Sequence, residues 1–134
     1  MKVKLSNKIR ETITSAQAKA IGSLGAGGVN VVPVSMAHVH EDSIWLFDFF
    51  FAKTAANFKK NPAVAFTCWS GMVGVQIKAD VEYITKGADF DKAVLWVRNQ
   101  NPSRVVKGLL ILRPTAIFDI SQGGHFSPED LKLS

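Results

Sequence analysis

The sequence predicts a β-rich α+β domain, a split antiparallel β-barrel of six or seven strands with flanking short helices. Three observations support this. Runs of β-branched and aromatic residues recur between turn-forming clusters, helical periodicity is confined to short stretches, and no repeat or low-complexity linker divides the chain. At 134 residues and 47% hydrophobic content, residues 1–134 suffice for one domain with a core that needs no staples.

The first element reads as a helix, because Ile9, Ile13 and Ala16 recur at helical spacing after Ser6, a residue able to cap it. Ala18 to Leu24, the turn Gly25-Ala26-Gly27-Gly28 and the β-branched run Val29 to Val39 predict a hairpin. After the turn His40 to Ser43, Ile44 to Phe51 gives a third strand in succession. Lys53 to Lys60 predicts a short helix ending at Asn61-Pro62. Ala63 to Trp69 and Val73 to Thr85 form a second hairpin around Ser70-Gly71, its latter strand long enough to bend in a barrel. Phe90, Ala93, Val94 and Val97 share one face of a helix starting near Ala88, with Asp89 and Asp91 near its positive end. Gly108 to Arg113 and Thr115 to Ser121 are two strands parted by Pro114, and Ser127-Pro128 starts a final helix.

Sixteen Lys and Arg against eleven Asp and Glu give a net charge of +5, which favours anionic partners without choosing among nucleic acid, an acidic surface and a phosphorylated ligand. No apolar run approaches the ~20 residues of a membrane span, and the charged N-terminal stretch does not read as a signal peptide. The single cysteine, Cys68, lies in an apolar run and reads as a core residue, with the cytoplasm the default compartment. His38 and His40 could share a strand face, but two histidines do not make a metal site. Asp119 and Ser121 lack the paired histidine of a hydrolase triad.

The most informative segment is NVVPVSMAHVHEDSIWLFDFFFAKTAAN, residues 30–57. Lys53 and Thr54 fall where a strand turns into a helix, so an amine, a hydroxyl and unpaired amides could meet one anion. A helix cap beside a solvated lysine has the same residues. Strand alternation sets Trp45, Phe47, Phe49 and Phe51 on one face and Ile44, Leu46, Asp48 and Phe50 on the other. Core packing accounts for most of these rings, and the apolar content also suits a pocket for a flat ring.

In the order of its glycine turn, NVVPVSM, HEDS, AKTAANFKKNP and AVAFTCW, the chain resembles the pyridoxamine phosphate oxidase-like FMN-binding split-barrel family, especially its small FMN-binding proteins. The resemblance implies that Lys53 and Thr54 contact the FMN phosphate. It also implies that Val31, Val32, Pro33, Val34 and Ser35 line the isoalloxazine, partly through backbone groups, with Phe50 and Phe51 bordering it. Pro33 has no amide hydrogen and cannot donate. Arg104, by the same resemblance, helps cover a cofactor bound mainly by the other subunit of a homodimer. Ala52-Lys53-Thr54 is less basic than the phosphate segment of oxidases in the family, Ala79 stands near a position where many relatives have glycine, and the longer C-terminal region of the pyridoxal phosphate-forming oxidase is missing. That enzyme's reaction is therefore not transferred, and no catalytic residue is assigned.

The resulting expectation is an FMN flavoprotein, an oxidoreductase acting on a small redox substrate or reduced nicotinamide. The alternatives are an electron carrier or cofactor-binding protein without turnover, a deazaflavin or haem in place of FMN, and, ranked last, a basic barrel that binds single-stranded nucleic acid.

Overall fold

The computed structural model describes residues 4–49 and 58–134. Seven strands form one antiparallel sheet: β1 (Ala18–Gly25), β2 (Gly28–Pro33), β3 (Ala37–His40), β4 (Ser43–Asp48), β5 (Ala63–Ser70), β6 (Val73–Ile84) and β7 (Gly108–Asp119). Their spatial order is β2-β1-β5-β6-β7-β4-β3. The helices are α1 (Asn7–Ser15), α2 (Ala88–Gln100) and α3 (Pro128–Leu131), and residues 58–60 are also helical.

The sheet's two edge strands, β2 and β3, are neighbours in the chain. Residues 34–36 join them, and such a link spans at most ~14 Å. The sheet therefore curls until its edges approach, which is a barrel with a seam between β2 and β3.

The run Val29 to Val39, expected as one strand, is thus two strands on opposite edges. Pro33 sits opposite Ala20 at the end of β2, where its missing N–H faces the open edge and breaks no ladder bond. The two strands expected around Pro114 are instead one, β7. Pairing slips between Lys78 and Ala79, so that Ala79 faces Pro114 and Lys78 faces Ala116. The bulge absorbs the proline and bends the long β6–β7 pair. Strand β4 ends at Asp48, earlier than the expected Phe51.

Alternation along β4 and β7 splits the apolar residues between two clusters. Ile44, Leu46, Leu110 and Leu112 point into the barrel with Phe66, Val75 and Ile77. Helix α1 closes that interior with fully buried Ile9 and Ile13, its first turn capped by the Ser6 hydroxyl. Trp45, Phe47, Leu109 and Ile111 face outward and are covered by Ala93 and Val97 of α2. Cys68 is wholly buried in the barrel, where desolvation pushes its thiol up to about 12, as the core reading requires. The C-terminal helix docks on the first: the Ser6 hydroxyl donates to the Asp130 carbonyl at 2.7 Å, and the Lys8 ammonium donates to that of His125 at 2.8 Å.

Candidate functional site

The seam gathers three separate parts of the chain. The Arg104 guanidinium donates to the Ser35 hydroxyl at 3.2 Å and lies over the Phe49 ring, 4.7 Å from its centroid. Ser35 follows β2, Phe49 follows β4, and Arg104 belongs to the loop between α2 and β7. Asn101 shapes that loop by accepting from the Ser103 amide and hydroxyl through its side chain, while its carbonyl accepts from the Arg104 amide. At the loop's far end the Lys107 amide donates to the Asp48 carbonyl at 2.8 Å.

Beside this cluster lies the β2 edge. The Val34 amide donates to the Lys19 carbonyl at 2.9 Å, and antiparallel alternation puts Val32 in the same inward-bonded set. The backbone groups of Val31 and Pro33 therefore face away from β1. Within β2 the Val31 amide is thus directed to the open edge, and Pro33 carries none. The Val34 side chain is buried in the barrel core and Val32 packs against it, so these two contribute packing rather than ligand-facing groups.

Phe50, Phe51, Lys53 and Thr54 lie outside the described residues. The structure brings Ser35 and Arg104 together and adds Phe49, which sequence reasoning placed in the aromatic run without a partner. It also adds a buried polar pair. Asp48 is only 4% exposed and accepts a 2.5 Å hydrogen bond from the Tyr83 hydroxyl. Burial and that bond raise the Tyr83 hydroxyl well above the ordinary tyrosine range. Gly108 makes room for the pair, because a side chain there would collide with the Tyr83 hydroxyl and ring. A lone aspartate ending an apolar strand was the available sequence signal.

The other candidates have structural roles. His38 and His40 do share a face, but their rings pack on tryptophan: His38 lies 4.6 Å from Trp96, and His40 stacks on Trp45 at 4.1 Å. Among the described residues no group of three or more side chains could hold a metal. The Asp119 carboxylate accepts from the amides of Ser121, His125 and Phe126 and so organises the C-terminal loop. A cleft of about 470 Å³ lies at the opposite end of β4, lined by His40, Trp45, Asp89, Lys92 and Arg113. Arg113 pairs there with Glu82 at 3.0 Å.

Residues 5–121 match the family described as pyridoxamine 5'-phosphate oxidase. The chain belongs to that family. Solved structures agree on the oxidase-family fold. HupZ of Group A Streptococcus is 18% identical, with 92% of this chain and 99% of that one covered and a TM-score of 0.78. An FMN-binding protein from Syntrophomonas wolfei is 18% identical, with 86% and 88% covered and a TM-score of 0.72. HutZ, a haem storage protein from Vibrio cholerae, is 14% identical, with 86% and 94% covered and a TM-score of 0.66. No curated protein matches the sequence.

The described residues suit the ring-binding half of a flavin site. They offer an outward amide at Val31 on an open strand edge, the Ser35 hydroxyl, an aromatic ring at Phe49 and a guanidinium above it. A planar, electron-accepting heterocycle needs those elements: a flat apolar contact, hydrogen-bond donors at its rim and a cation near developing negative charge.

Proposed function

We propose that this member of the oxidase family is a homodimeric FMN flavoprotein, an oxidoreductase that exchanges hydride or electrons with a small substrate. The observation that carries the reading is the convergence of Ser35, Phe49 and Arg104 at the seam. FMN, when bound, supplies the redox chemistry. The chain's own residues bind and orient it: backbone amides of the Val31 to Ser35 segment, Val31 first among them, donate at the ring edge, and Phe49 packs against its surroundings. Arg104 brings positive charge to that end of the barrel, and Lys53 and Thr54 hold the phosphate.

A second copy supplies the remaining cover. The outer face of β1 and β2 exposes Leu24, Val29 and Val31, at 49%, 81% and 65%, beside the small residues Ala20, Gly22 and Ala65. An apolar face of this kind, next to the β2 edge, suits a self-complementary contact that brings the partner close to the cofactor. The setting we propose is cytoplasmic. Among the described residues no helix is long and apolar enough to cross a membrane.

The deciding experiment is the absorption spectrum and mass of whatever co-purifies with the full chain. The expected result is a yellow protein with one FMN per subunit, reduced by a nicotinamide or another small donor. A haem or deazaflavin spectrum would replace FMN. A flavin that no donor reduces would make the protein a carrier, and a colourless protein that FMN does not bind would overturn the reading.

A further inference from the structure

Asp48, Tyr83 and Gly108 come from three adjacent strands and meet at one point. Asp48 ends β4 and lies opposite Gly108, which starts β7, while Tyr83 reaches across from the end of β6. A carboxylate 4% exposed at the end of an otherwise apolar strand is costly unless its oxygens are bonded, and Tyr83 bonds one of them at 2.5 Å. Gly108 is fitted to this bond, since any side chain there would displace the phenol. The arrangement is therefore built from two directions: a donor aimed at the carboxylate, and a glycine that leaves it room.

Its position gives it consequence. One residue after Asp48 comes Phe49, beneath Arg104. The Asp48 carbonyl also receives the Lys107 amide, which fixes the far end of the loop carrying Arg104. Both components of the seam thus depart from the same residue. A rotation of Asp48 would move the Phe49 ring and the Arg104 loop together.

We infer that the Asp48–Tyr83 pair is a positioning device for the cofactor site, holding Phe49 and the Arg104 loop in the relative placement that FMN binding needs. This rests on the FMN reading. The pair touches no reacting atom in this role. It acts through Phe49 and Arg104, and Gly108 is part of the device because it admits the phenol.

The test compares the wild-type chain with Tyr83→Phe, which removes one oxygen, and with Asp48→Asn and Asp48→Ala. The first measurement needs no cofactor. Tyr83 is the single tyrosine of the chain, so its phenolate absorbance is read without interference from others. In flavin-free wild type it should titrate well above about pH 10 and fall toward that value in Asp48→Asn. The second is FMN titration followed by flavin fluorescence and visible circular dichroism. Tyr83→Phe and Asp48→Ala should raise the FMN dissociation constant about tenfold or more and alter the flavin dichroism, with Asp48→Asn, which keeps an acceptor, between them and wild type. A purely structural pair would lower the unfolding midpoint and leave affinity and dichroism unchanged. A folded Tyr83→Phe with wild-type values for both overturns the inference while leaving the FMN reading intact, because wild type still binds. Failure of wild type itself to bind FMN overturns both. If the Asp48 variants do not fold, Tyr83→Phe decides.

Discussion

The proposed subunit contact is tested most directly at Val29, which belongs to the outer face of β2 but not to the group of residues directed at the seam. Full burial of a valine side chain stabilises by about 1.5–3 kcal/mol. Val29 is 81% exposed in the single chain, so covering it contributes roughly 1.2–2.4 kcal/mol per copy. A two-fold contact uses the same patch twice, giving about 2.4–4.8 kcal/mol in all. Val29→Asp removes that amount and adds the desolvation of a carboxylate on each copy. The lost burial alone should raise the dimer dissociation constant by between about 50-fold and 3,000-fold. Leu95 is a matched control: it is 57% exposed, but on α2, away from the proposed contact. Sedimentation velocity over a range of micromolar concentrations reads the outcome. Wild type and Leu95→Asp should sediment as dimers and Val29→Asp as a monomer with reduced FMN occupancy. A Val29→Asp protein that sediments like wild type would refute the assignment of this face, and a monomeric wild type would refute the dimer itself.

Two further perturbations follow from the fold. A methyl at Gly74 would lie 2.5 Å from the Trp69 Cβ and also strike the Cys68 carbonyl, both on the paired strand β5. Gly74→Ala should therefore destabilise by about 1–3 kcal/mol in urea unfolding, and a change near zero would show that the β5–β6 pair yields more readily than its register implies. The second concerns pH. Burial first, and the charge of neighbouring His40 second, hold the His38 imidazole below its ordinary value of 6.5. The unfolded chain then binds more protons than the folded one as pH falls below about 6.5, so this contribution to stability is complete above that pH and is lost on acidification. His38→Phe keeps a ring against Trp96 and Trp45 and removes the titration. Its urea midpoint should fall less between neutral and mildly acidic pH than that of wild type, and equal slopes would remove His38 as the cause.

The elements that were legible in the sequence are those whose signals are local. Ser6 and Ser127 announce their helices because capping is decided within one turn, and both side chains accept the expected backbone amide. The alternation in SIWLFD was enough to assign Ile44 and Leu46 to one side and Trp45 and Phe47 to the other. What could not be read was where a strand changes neighbours. Val29 to Val39 is rich in β-branched residues, yet its first half pairs with β1 and its second with β4 at the other edge. Pro33 is the local mark of the division, but a proline is equally tolerated within an edge strand, and the change of partner follows from closing the sheet. The same holds at Pro114, where the break suggested by the proline is taken up by a bulge opposite Ala79, visible only once the two strands are set in register.

The site shows the same division between local and distant signals, with a consequence for how it works. The sequence singled out Val31 to Ser35 only as a segment; which of its amides is available depends on pairing, and pairing with β1 turns the Val31 amide toward the open edge. Arg104 could be named only through resemblance, whereas its seat on Ser35 and Phe49 spans 69 residues of sequence in one case and 55 in the other. Such a site has no contiguous motif because each of its parts is the end of a strand or a loop that the barrel brings to its seam. Its geometry therefore depends on the residues that fix those ends. Asp48 fixes two of them at once, through the chain that continues to Phe49 and through the carbonyl that receives Lys107. A buried aspartate with a tyrosine donor and a glycine opposite is consequently placed where a small displacement changes the most of the seam, and conservative variants there probe the assembly without touching the residues proposed to meet the ring.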